Sequence, residues 1–250
     1  MTKLIGLVLA LLLAACGNAN DGRLQGRVEG DLVFVGPDET GRVETLNVRE
    51  GDMVEAGAPL FAVDADLQRS DLQMQEAAVT NAQQTYDRAV ALLKTSAGTQ
   101  KTLEDAEATL RTAKARLNSS QTRLARRKLA SPVTGAVQQI YYRPGEMVPA
   151  GRPVLSILPP GNIKVRFFAG EPLLPAIKPG DPVEVTCDGC AKPVTARVSF
   201  IARSAEYTPP VIYSLEERNK LVFMIEARPD APDGLRVGQP VSVALAGAKK

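Results

Sequence analysis

The sequence predicts an elongated chain of mixed α and β structure, in which a split β-sandwich carries an antiparallel helical hairpin and is followed by a small β-barrel. Three observations predict it. The stretch 41–60 recurs 94 positions downstream, the gap between the copies is free of proline and follows a heptad, and the residues after Pro160 break into short β-rich runs. With 250 residues and 44% hydrophobic content the chain can bury real cores, and its length allows one to three domains. Lysine and arginine number 30 against 28 aspartates and glutamates, and the cations are scattered, so the footprint that duplex nucleic acid demands is missing. Histidine is absent. That removes the commonest general base and metal ligand, and neither a catalytic site, a metal site nor a cofactor is expected.

At the start, Lys3 precedes an apolar run from Leu4 to Ala15. As a helix it would span roughly 18 Å at 1.5 Å per residue, too short for a hydrocarbon layer of about 30 Å. Residues 1–15 therefore read as a signal peptide. The run ends Leu13, Ala14, Ala15, Cys16, which resembles the lipobox of bacterial lipoproteins. The resemblance implies that the Cys16 thiol is lipidated and becomes the new N-terminus; the alternative is an ordinary secretory signal cut after Ala19. Export follows in both cases. Several acyl chains on one residue would hold the protein to a membrane through an N-terminal segment, 16–30, without spanning it.

In the repeat, Gly41, Val43, Arg49, Gly51, Met53, Val54, Gly57 and Pro59 match Gly135, Val137, Arg143, Gly145, Met147, Val148, Gly151 and Pro153 without a gap. Each copy reads as a strand, a Gly-centred turn, a second strand entered through Ala-Gly, and a final apolar strand. The two copies resemble the halves of a biotinyl/lipoyl-type β-sandwich, placing a split lipoyl-like domain at 31–64 plus 130–160. In carrier domains of that type, a lysine at the hairpin between adjacent halves bears the cofactor. Here the halves are separated by a long segment with no such lysine turn, which disfavours a lipoyl or biotin carrier.

The inserted segment, 65–129, carries one heptad series at Leu72, Val79, Tyr86 and Leu93 and another at Leu103, Leu110, Leu117 and Leu124. Folding back at Gly98 pairs Leu93 with Leu103, Tyr86 with Leu110, Val79 with Leu117 and Leu72 with Leu124. Small residues at Ala82, Ala89, Ala106 and Ala113 let the helices approach. The expected product is an antiparallel coiled-coil hairpin about 40 Å long.

A barrel is expected over 161–247, from the β-rich runs Ile163 to Phe168, Val183 to Cys187, Val194 to Ile201, Leu221 to Ala227 and Val241 to Leu245. Cys187 and Cys190 flank Asp188-Gly189, a strong two-residue hairpin signal. Residues facing each other across such a turn lie at about 5.5 Å between Cα atoms, inside the disulfide range. A disulfide pinning the hairpin is the reading that suits an oxidising compartment, with free thiols as the alternative. Two thiolates without histidine make half a zinc site.

A lipoyl-like domain split by a helical hairpin resembles the HlyD-like membrane fusion proteins, the periplasmic adaptors of export pumps. The stretch from Ala205 to Pro229 is similar to the barrel of the YbhG-like subgroup, which implies an ABC-type inner-membrane exporter as partner. Arg88, Leu92 and Thr99 fit the Arg-x3-Leu-x6-Ser/Thr pattern with which such adaptors contact a TolC-like outer-membrane channel; a solvated helix face is the bland alternative. The resemblance further implies a homo-oligomer, commonly a hexamer, in efflux or secretion, without enzymatic activity of its own. Larger adaptors continue into a membrane-proximal domain, which is not expected beyond the last strand here. A periplasmic scaffold lipoprotein without a pump is the remaining rival.

Overall fold

The computed structural model describes residues 23–190, 192–207, 221–232 and 234–245. The signal segment, Cys16 and most of the stretch that is similar to YbhG-like barrels lie outside the described residues. Two compact units emerge, one made of the residues up to Asp31 together with those from Gly161, the other running from Leu32 to Pro160.

The chain enters through β1 (Leu24–Gly30), which belongs to the barrel unit, and then builds the sandwich. Its first half supplies β2 (Val33–Val35), β3 (Gly41–Leu46), β4 (Met53–Val54) and β5 (Pro59–Val63). The second half supplies β6 (Lys128–Ala130), β7 (Gly135–Ile140), β8 (Met147–Val148) and β9 (Leu155–Leu158). They form two four-stranded sheets, β2-β9-β7-β4 and β6-β5-β3-β8, so each sheet takes strands from both halves. The halves are interlocked. Gly51 donates its N–H to the Val137 carbonyl and Gly145 donates to the Val43 carbonyl, both at 2.8 Å. Both glycines hold φ near +90° (92° and 95°), a conformation a Cβ disfavours, which is why the same residue stands at both turns. The duplicated apolar positions are buried in both halves: Val43 with Val137, Val54 with Val148, Leu60 with Val154, Phe61 with Leu155 and Val63 with Ile157.

Between the halves run α1 (Asp66–Lys94) and α2 (Gln100–Ala125), of 29 and 26 residues. Their mutual face buries Ala82, Ala89, Ala106, Leu110, Ala113 and Ser120. Val79 and Tyr86 pack against the cluster of Ala82, Leu110 and Ala113. Apart from Leu110, the seam residues Leu72, Val79, Tyr86, Leu93, Leu103, Leu117 and Leu124 are half-buried. Two helices alone offer no third surface, so of the long seam side chains only Leu110 is covered, whereas the alanines at the contact disappear.

The barrel adds β10 (Ile163–Gly170), β11 (Pro182–Thr186), β12 (Val194–Ile201), β13 (Glu206–Tyr207), β14 (Leu221–Pro229) and β15 (Pro240–Leu245). The order is β10-β1-β15-β11-β12-β14, with β14 pairing back to β10, so six antiparallel strands close on themselves and β13 flanks β14. Closure leaves those six strands no free edge. Residues 16–30 are expected as an N-terminal segment, but Leu24–Gly30 is a barrel strand, with Val28 fully buried beside Val165 and Val241. Its alternation of Gln25, Arg27 and Glu29 outside with Gly26 and Val28 inside is that of a half-buried strand.

Candidate functional site

The free end of the hairpin gathers the residues singled out for channel contact. Arg88 and Leu92 lie four residues apart on one stripe of α1, both exposed, with Leu92 at 48%. Arg88 Nη2 reaches back to Thr85 Oγ1 at 3.3 Å. Thr99 stands just ahead of α2, where its hydroxyl accepts from the Thr102 N–H at 3.2 Å, an N-cap that satisfies one orphan donor of the helix. Its side chain thus serves its own helix first.

The turn itself closes on the Leu92 carbonyl, which accepts from the N–H groups of Ala97 and Gly98 at 2.9 and 3.1 Å. A Cβ at Gly98 would sit 3.1 Å from both Leu92 Cβ and Leu93 N. Gly98 is therefore favoured by close approach, a Cβ there obliging its neighbours to shift by a few tenths of an ångström, while the left-handed residue is Ser96, at φ 57°. The Ser96 conformation had no sequence signal, because serine gives no warning of a left-handed backbone.

At the root of the hairpin, the small-residue series Ala106, Ala113, Ser120 continues in heptad step to Arg127, which is buried. Arg127 Nη2 donates to Glu39 Oε2 at 2.9 Å and Nη1 to the Thr40 carbonyl at 3.1 Å, both in the loop between β2 and β3. Arg126 pairs with Asp38 at 3.3 Å in the same loop. Sequence reasoning missed this joint because an arginine breaks an apolar series by type while keeping its spacing.

In the barrel, Cys187 and Cys190 are joined as a disulfide, with Cα atoms 5.3 Å apart. The expected two-residue hairpin is not what holds them. The ladder between β11 and β12 ends at Val185 and Val194, so the bridge sits inside a longer connection, in a turn where Cys190 N–H donates to the Cys187 carbonyl at 3.1 Å. Gln239 Nε2 donates to Cys187 Sγ at 3.0 Å.

Across the outer barrel face, Lys164 Nζ lies 2.9 Å from Asp31 and 3.0 Å from Glu226, and Arg166 Nη2 lies 3.0 Å from both Glu226 and Glu29. Burial opposes ionisation of Glu226, but hydrogen bonds from Lys164 and Arg166 outweigh it and hold the carboxyl below its ordinary value. Burial likewise works against the Lys164 charge, and the Asp31 and Glu226 carboxylates outweigh it, raising its pKa. Among the described residues no helix is long and apolar enough to cross a membrane.

A sandwich whose two halves are separated by a helical hairpin, with a six-stranded barrel beside it in the chain, is the architecture of membrane fusion proteins. Residues 31–158 match the model of the RND membrane fusion protein (MFP) barrel-sandwich hybrid domain, and the chain belongs to this family. A UPF0194 membrane protein of Enterobacter sp. (strain 638) and the UPF0194 membrane protein YbhG of Salmonella gallinarum are each 32% identical over 117 residues. Those alignments cover 46% of this chain and 35% of each relative, so the match spans about a third of the curated relatives' length. Among solved structures, the membrane fusion protein Spr0693 from Streptococcus pneumoniae R6 is similar with a TM-score of 0.71 at 17% identity, covering 91% of this chain and 99% of that one. A MacA-MexA chimeric protein containing the Pseudomonas aeruginosa MexA α-hairpin domain gives 0.73 at 19%, covering 88% and 79%. At these identities the likeness shows a shared fold.

Proposed function

We propose that the protein is a non-enzymatic periplasmic adaptor that links an inner-membrane exporter, ABC-type, to a TolC-like outer-membrane channel for efflux or secretion. The observation that carries the reading is the interlocked sandwich with nothing but a helical hairpin in its gap. A sandwich that needs no insertion to close, yet grows two helices of 29 and 26 residues, presents their tip to something else. Exposed Leu92 and Arg88 supply the apolar and charged contacts for a channel end. Acylation of Cys16 would keep the protein on the inner membrane beside its exporter. Copies assembled as a ring, six in number, would multiply weak tip contacts into lasting engagement. The ABC assignment rests on the similarity of Ala205 to Pro229 to YbhG-like barrels.

Purification of the tagged protein from crosslinked cells tests the reading. Recovery of an ABC-type ATPase complex together with an outer-membrane channel supports it. An ion-driven pump in place of the ATPase overturns the exporter class, recovery of neither membrane partner makes the protein a scaffold, and a covalent cofactor mass makes it a carrier.

A further inference from the structure

We propose that the turn Glu171–Ala176 is the barrel's contact with the lipid bilayer that anchors the chain, an inference that rests on acylation of Cys16. The strand register supplies the geometry. Gly26 pairs with Phe167 and Leu24 with Val243, so the beginning of β1 lies at the barrel end where β10 finishes at Gly170. The turn springs from that residue. The opposite barrel end is occupied by the other end of β1, at Gly30, and by the beginning of β10, at Ile163, where the chain passes to and from the sandwich unit.

Cys16 and Leu24 are eight residue steps apart. Fully extended, that chain reaches at most about 28 Å. An acylated Cys16 sits at the level of the lipid head groups, and so the end of the barrel bearing the turn is held within that distance of them. The turn is built to meet an apolar phase. Pro172, Leu173, Pro175 and Ala176 are exposed, Leu173 at 39%, and Leu174 is half-buried. Its one charge is Glu171, next to the strand. Buried Ile177 fastens the far side, donating its N–H to the Leu174 carbonyl at 3.1 Å. Two prolines fix φ at their own positions, so the backbone carrying Leu173 and Leu174 between them has less entropy to lose on contact. The short tether supplies the effective concentration, and a modest apolar contact is enough to keep this end seated on the bilayer.

The test uses the full acylated protein in vesicles of phosphatidylethanolamine and phosphatidylglycerol whose acyl chains carry brominated positions. A fluorophore is attached, without reductant, to Leu173→Cys or to Val237→Cys, the latter an exposed position at the opposite end. Quenching of the label at 173 with none at 237 is the expected result. Equal quenching at both, no quenching at 173 while the N-terminal peptide carries its acyl mass, or protection at 173 only when a transporter is co-reconstituted would each overturn the proposal. An N-terminal peptide without acyl mass removes the anchor reading itself, and that failure is recognised by mass alone.

Discussion

Arg127 donates to the Glu39 carboxylate at 2.9 Å, joining the end of one hairpin helix to a loop 88 residues earlier in the chain. The guanidinium side chain is 9% exposed and Glu39 50%, so the pair is lopsided: the arginine has given up water, the glutamate has not. Removing the arginine frees a carboxylate that rehydrates easily and leaves the Thr40 carbonyl without its donor. Arg127→Met is therefore expected to destabilise the sandwich unit by about 1.5–3 kcal/mol, the range for a charged hydrogen-bonding group. Urea unfolding followed by circular dichroism measures it, and an unchanged midpoint would argue that the joint contributes nothing.

Leu110 is the one long seam residue that the two helices bury, at 6% exposure. Leu110→Ala is expected to cost about 2 kcal/mol, the low end for such truncations, because its surroundings are half-open and can relax. Leu117→Ala, at a half-buried position, should cost less. A thermal melt that ranks them the other way would contradict the packing described above.

The Glu226 cluster sets a pH dependence for the barrel. With its folded pKa depressed, Glu226 contributes stability that is fully present above its unfolded value and lost as pH falls through the folded one. Lys164, raised, contributes stability present below its unfolded value and lost as pH rises through the folded one. The barrel is expected to keep a stability plateau across neutral pH and to weaken below the ordinary glutamate range of about 4.3. Glu226→Gln should flatten that acid limb in denaturant titrations run at stepped pH, and an acid limb identical to wild type would remove the network from the account.

The disulfide closes a very short loop, and the chain-entropy account gives about 2 kcal/mol for it. Cys190→Ser should lower barrel stability by no more than that, since Val185 and Val194 keep the ladder above the turn. Calorimetry with and without reductant gives the answer; a much larger loss would mean that the bridge organises the whole β11–β12 connection.

Leu92→Asp is expected to leave the hairpin melt unchanged, because the side chain is already 48% exposed, while abolishing export in cells. Export at the wild-type level would withdraw the tip from the channel-docking reading.

The sandwich was legible in the sequence because glycines and prolines pin its turns at fixed offsets, and a repeat with no gap preserves those offsets. The hairpin was legible because seam residues return every seven positions. What escaped is non-local or chemically disguised. Residues 24–30 look like any polar lead-in until their partners, Phe167 and Val241, arrive from far along the chain. Arg127 keeps the spacing of the small seam residues but not their chemistry, and Ser96 adopts its left-handed backbone because of the helix ends it joins.

The mutual bonding of the two sandwich copies constrains how the protein is made. However the polypeptide is delivered, Gly51 leaves 94 residues ahead of Gly145, and the acceptor waiting on Val43 goes unfilled until that later turn emerges. Bringing such distant ends together through slack chain costs entropy that grows with the logarithm of the intervening length. Two helices paired as a hairpin return the ends to each other, and a hairpin formed first would lower that cost. A chain halted between Val63 and Leu155 would lack β9, the strand that joins β2 to β7, and would present an open half-sandwich with its apolar strands uncovered.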